Sequence, residues 1–94
     1  MSPHDALAYL APYAKMSSEL CSLVSLRLEQ GEEDYGENYL QWEEGQVLTE
    51  IKEEIADVIG YALLEMSRVG AKPKMIGVVE EATRLFSFAT GDTE

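Results

Sequence analysis

The sequence predicts an all-α protein, a small antiparallel bundle of three to four helices completed by dimerisation. Three observations lead there. Apolar residues recur at helical three- and four-residue spacing in the long segments. No run alternates apolar with polar residues over enough positions to require a strand. Pro, Gly and Ser punctuate the chain where helices of ordinary length would begin and end. With 94 residues, 46% of them hydrophobic, the chain is expected to form one domain, 1–94, with a modest core. A core of that size is commonly completed by a second copy, so a homodimer or higher homo-oligomer is expected.

Ser2-Pro3-His4-Asp5 has the form of a helix start. Ser2 can cap, Pro3 occupies the first helical position where a missing N–H costs nothing, and Asp5 faces the positive end of the helix dipole. This helix should run toward Tyr13, with Pro12 kinking or ending it. Ser17 or Ser18, followed by Glu19, caps a second helix that carries Leu20, Leu23, Val24 and Leu28 on one face and is expected to stop near Gly31. The glycine-bracketed stretch "GEEDYGENYLQWEEGQ" reads as a loop with a short helical turn around Asn38 to Glu43. Thr49 is the expected cap of a central helix ending near Gly70. After the turn "GAKPK", a last helix from Pro73 to about Ala89 repeats Met75, Val79, Ala82 and Phe86, and the tail "GDTE" should fray.

Charge narrows the function classes. Eighteen Asp and Glu against seven Lys and Arg give a formal net charge of -11, which disfavours direct binding to a nucleic-acid backbone or an anionic membrane. A metal ion or a basic protein surface fits better. The single Cys21 excludes an internal disulfide and a clustered thiolate zinc site, consistent with a reducing compartment, and is expected to be a small core residue. Apolar runs are too short to span a bilayer, and the N-terminus lacks the basic-then-apolar order of a signal peptide. The expected location is the cytoplasm.

The central helix contains the sharpest pattern, "EIKEEIADVIGYALLEM", residues 50 to 66. At about 100° per residue, Ile51, Ile55, Val58, Ile59, Ala62, Leu63 and Met66 fall within about 140° of one another and form the expected buried face. Glu50, Glu54, Asp57, Tyr61 and Glu65 fall within about 80° along its rim, and Glu53 points further into solvent. Like charges three and four apart each cost roughly 0.2–0.5 kcal/mol. Glu50 and Glu53 recover part of that from the helix dipole, but Asp57 lies beyond its reach. From residue 29 to 57 eleven carboxylates stand against Lys52 alone, which places -10 of the net -11 in under a third of the chain. Either the stripe is a solvated acidic face, or it is a hard-cation site whose remaining oxygen ligands come from a neighbouring helix.

Glu54-Ile55-Ala56-Asp57, with Glu50, Glu53, Val58, Ile59 and Tyr61 around it, resembles the Glu-x-x-Asp helix of the MazG-like, all-α nucleoside triphosphate pyrophosphohydrolases. In that family a Glu-x-x-Glu helix precedes it, and Glu29-Gln30-Gly31-Glu32 has this spacing; "RLEQGEEDYG" also resembles small phage and bacterial members. The resemblance covers roughly residues 27 to 66 and implies hydrolysis of a nucleoside triphosphate to a monophosphate and pyrophosphate with Mg²⁺ (or Mn²⁺). By that resemblance Glu54 and Asp57 are metal ligands, with Glu29, Glu32 or Glu33 completing the site and Glu37 or Glu19 as alternatives. Glu50 or Glu53 would ligate metal or orient the attacking water.

One histidine and no serine–histidine–aspartate constellation leave metal-activated water as the chemistry the residues can supply. Tyr35, Tyr39 and Trp42 among the acids, and Tyr61 on the stripe, either stack on a nucleobase or anchor packing. Arg27 is either a phosphate contact, a partner for the acids, or a surface side chain lying along its helix. Lys72 and Lys74 either meet phosphate or serve the turn. A relative that binds nucleotide without turnover, and a small acidic protein that presents its carboxylates to a basic partner in the manner of a DNA mimic, are the other functions considered.

Overall fold

The computed structural model describes residues 2–36, 38–43 and 45–91, with the backbone alone at positions 34, 35 and 39. Among them are four α-helices, α1 (Pro3–Leu10), α2 (Ser18–Tyr35), α3 (Gln46–Val69) and α4 (Pro73–Thr90), one 3-10 turn at Asn38–Gln41, and no strand. They form two compact units, Met1–Gln41 with α1 packed on α2, and Trp42–Glu94 with α3 packed on α4. None of these helices is long and apolar enough to cross a membrane.

In the first unit, local chemistry fixes the helix ends. The Ser2 hydroxyl accepts from the Asp5 N–H at 3.1 Å while the Asp5 carboxylate accepts from the Ser2 N–H at 3.3 Å, a reciprocal capping box. After Leu10 the chain makes one more turn and closes with the Met16 N–H donating to the Ala11 carbonyl and the Lys15 N–H to that of Pro12. This is the pattern that usually has glycine in the left-handed position, and here Lys15 holds it at φ 55°. Ser17, not Ser18, caps α2, accepting from the Leu20 N–H at 3.1 Å.

The expected stop at Gly31 is overturned, because α2 continues through it to Tyr35. One glycine costs a helix about 1 kcal/mol, and the good helix formers Glu29, Gln30, Glu32 and Glu33 on both sides offset it. Gly36, at φ 55°, is where the chain leaves the helix. Glu29, Glu32 and Glu33 therefore share one continuous helix. The short helical turn expected near Asn38 is the 3-10 turn.

Thr49 does not cap α3. The helix begins at Gln46 after Gly45 in the left-handed conformation, and the Thr49 hydroxyl instead donates back to the Gly45 carbonyl at 3.2 Å. The early start adds Leu48, which stands two turns ahead of Ile55 and is 42% exposed. Gly70 at φ 92° ends α3, Pro73 opens α4, and Gly91 at φ 80° closes it. Of the tail expected to fray, residues 92–94 lie outside the described residues, as does Glu37.

Three side chains among the described residues are buried, Ile55 (5% exposed), Ala62 (4%) and Ala82 (8%), and all lie in the α3–α4 seam. Ile59, Met66, Met75 and Val79 flank them half-buried. Ile51, Val58 and Leu63, expected in the buried face, are instead exposed at 41, 45 and 53%. A single neighbouring helix covers only a narrow stripe, and an apolar arc of about 140° is wider than that. Cys21 is half-buried against the first helix pair rather than fully in a core.

Two stability outcomes follow from these ends and this seam. Lys15→Gly is expected to raise stability by about 1 kcal/mol, since a non-glycine residue at positive φ costs about 1–2 kcal/mol and glycine returns part as unfolded-state entropy; urea unfolding at fixed protein concentration checks it, and a loss of stability contradicts the strain. Ile55→Ala should cost about 2 kcal/mol, the low end for an isoleucine truncation because solvent already reaches its flank, read from the same urea midpoints.

Candidate functional site

α3 carries the acidic stripe on its solvent side. Glu50, Glu53, Glu54 and Asp57 are all exposed, Tyr61 is 73% exposed, and Glu65 is half-buried. The helix runs unbroken through all of them, so their angular relation is fixed by its pitch: Glu50 and Glu54 are one turn apart, as are Glu54 and Asp57. Among the described residues the ion pairs are Arg68–Glu65 at 3.0 Å and Arg84–Glu81 at 2.8 Å, both within one helix and exposed. Pairs of that kind contribute little to stability. Neither involves a carboxylate in the first half of α3.

The second set of acids lies on α2. Glu29, Glu32 and Glu33 are exposed on its last turns, and Glu19 stands in its first turn, ten residues or about 15 Å from Glu29 along the axis. Arg27 is exposed, its guanidinium donating to the Gln30 side-chain oxygen at 3.3 Å. Tyr35 ends α2, Trp42 is half-buried, and His4 is half-buried in the first turn of α1. An open groove of about 590 Å³ between α1 and α2 has His4, Cys21 and Glu29 in its wall, a neighbourhood that the spacing along the chain did not suggest.

Among the described residues no group of three His, Cys, Asp or Glu side chains is placed to hold a metal ion. Mg²⁺ does not require such a cage. It keeps several waters and is usually held by one or two carboxylates plus the phosphates of its nucleotide. Glu54 and Asp57, adjacent on one helix face and without ion pairs among the described residues, suit that mode of binding.

Sequence periodicity missed a second groove, of about 600 Å³, between α3 and α4. Ile55, Val58, Val78, Ala82 and Leu85 line it together with the charged Lys74, Glu80 and Glu81. Its signal was present in Val78 and Leu85, beside the recognised row 75, 79, 82 and 86, which makes the apolar face of α4 wider than one neighbour can cover. No protein-family model, curated protein or solved structure matches this chain.

Proposed function

We propose that this chain is a Mg²⁺- (or Mn²⁺-) dependent nucleoside triphosphate pyrophosphohydrolase, or a relative that binds the nucleotide without turnover, acting in the cytoplasm as a homodimer or higher homo-oligomer of a small helical bundle. The observation that carries the reading is the Glu54-x-x-Asp57 pair on an unbroken, solvent-facing helix, flanked by Glu50 and Glu53 and lacking counter-charges among the described residues. Glu54 and Asp57 hold the cation; Glu29, Glu32 and Glu33 are the further candidate ligands. A bound divalent ion supplies neutralisation of the phosphate charge and acidification of water.

The protein groups then have separate tasks. Glu50 or Glu53 would ligate the ion or orient the attacking water, and hydrolysis of the α–β linkage would leave a monophosphate and pyrophosphate. Arg27 meets phosphate, and Tyr35, Trp42 or Tyr61 stacks on the base. Tyr61 is suited to this by its exposure next to the stripe.

A second reading has its own support. Because no three acids converge among the described residues, the stripe also suits an acidic interaction protein that docks on a basic partner surface. One set of measurements separates the two. Under the first reading, Mg²⁺ or Mn²⁺ with nucleoside triphosphate raises the melting temperature over an EDTA control, since a ligand that binds only the folded state stabilises it, by about 2.7 kcal/mol at a hundred times its Kd. Pyrophosphate release, measured alongside, distinguishes turnover from binding. Glu54→Gln and Asp57→Asn should each abolish the metal-dependent shift while the far-ultraviolet dichroism stays helical. Unchanged shifts in both variants reject these ligands, and no shift in the parent chain leaves the basic-partner reading.

A further inference from the structure

We infer that the exposed Glu65–Arg68 pair reads the edge of the nucleobase at the proposed nucleotide site and selects guanine. The inference rests on the metal-and-nucleotide reading above and adds to it the class of base.

α3 lines up the parts. On a wheel of about 100° per residue, Glu54, Asp57, Tyr61, Glu65 and Arg68 fall within about 80° of one another. The helix spans Gln46–Val69 without a break, so these side chains form one row along it. The carboxylates that suit the cation stand at one end, the ring in the middle and the ion pair at the other end. About 6 Å along the axis separates Asp57 from Tyr61, and the same distance separates Tyr61 from Glu65. A nucleotide whose phosphates lie at Glu54 and Asp57 has its base within reach of Tyr61, and a base stacked there turns an edge toward the pair. Tyr61 is 73% exposed, and Leu64, three residues on and 66% exposed, extends its apolar surface.

The pair has hydrogen-bonding capacity to spare. Arg68 Nε donates to Glu65 Oε1 at 3.0 Å, and both side chains are open to solvent. Among the described residues, neither terminal nitrogen of Arg68 nor Glu65 Oε2 makes a hydrogen bond. In the Arg84–Glu81 pair, by contrast, one guanidinium nitrogen engages both carboxylate oxygens at 2.8 Å. Side chains on a helix lean toward its N-terminus, so Arg68 reaches back over Glu65 and presents donors beside an acceptor on the side of Tyr61.

Guanine is the base that matches. Its O6 carbonyl accepts from the guanidinium, while N1–H and the N2 amino group both donate to the carboxylate. Adenine and cytosine set an amino group beside a ring nitrogen without hydrogen, and uracil has a single N–H between two carbonyls. Each of these gives the carboxylate one donating group where guanine gives two.

Calorimetric titration of the full chain with Mg²⁺ and the α,β-methylene analogues of GTP, ATP, CTP and UTP, whose α–β linkage cannot be hydrolysed, tests this. The GTP analogue is expected to bind at least about fivefold more tightly than each of the others, since a forked contact with one base edge discriminates by about five- to 150-fold. Arg68→Met and Glu65→Gln should each bring the GTP analogue within about twofold of the ATP analogue, whose own dissociation constant stays within about threefold because the phosphate end and the fold are intact. Equal binding of the four analogues, tightest binding of another base, or a guanine preference that survives either variant overturns the base assignment and leaves the metal-and-nucleotide reading in place. Binding of none of them with Mg²⁺ overturns that reading and this inference together.

Discussion

The seam between α3 and α4 is the interaction on which the rest depends. Its centre is one isoleucine between two alanines, Ile55 with Ala62 and Ala82. The alanines let the helices approach closely but bring little apolar area with them; full burial of the isoleucine contributes about 1.5–3 kcal/mol. Ordering the backbone costs about 1–2 kcal/mol per residue. A seam this narrow positions two helices, and further burial has to come from the apolar flanks that it leaves open. Val58, Leu63, Leu85 and Phe86, at 40–53% exposure, are those flanks.

The same seam orients the acids. By committing the row Ile55, Ile59, Ala62 and Met66 to α4, it turns Glu50, Glu54 and Asp57 to solvent. Their mutual repulsion is tolerated because water screens it, yet it remains a cost that a cation would relieve. Lys72 and Lys74 stand between the C-terminal end of α3, whose dipole favours positive charge, and the first turn of α4, whose dipole opposes it.

Most helix ends were legible because their signals are local. Ser2-Pro3-His4-Asp5 and Ser17 declare their caps within three residues, and Gly70 and Pro73 declare a stop and a start. Gly31 and Thr49 misled because the outcome there is a balance between local and longer-range terms. The helix formers around Gly31 outweigh it, and with α3 starting at Gln46 the Thr49 hydroxyl bonds back to the Gly45 carbonyl instead of capping. The acidic stripe and the Glu54-x-x-Asp57 spacing were legible, since a helical wheel contains both. Whether carboxylates of different helices converge was not, because periodicity describes one helix at a time. The width of the buried face was overestimated for the same reason: a wheel shows which residues share a side of α3, and says nothing of how much of that side one neighbour can cover.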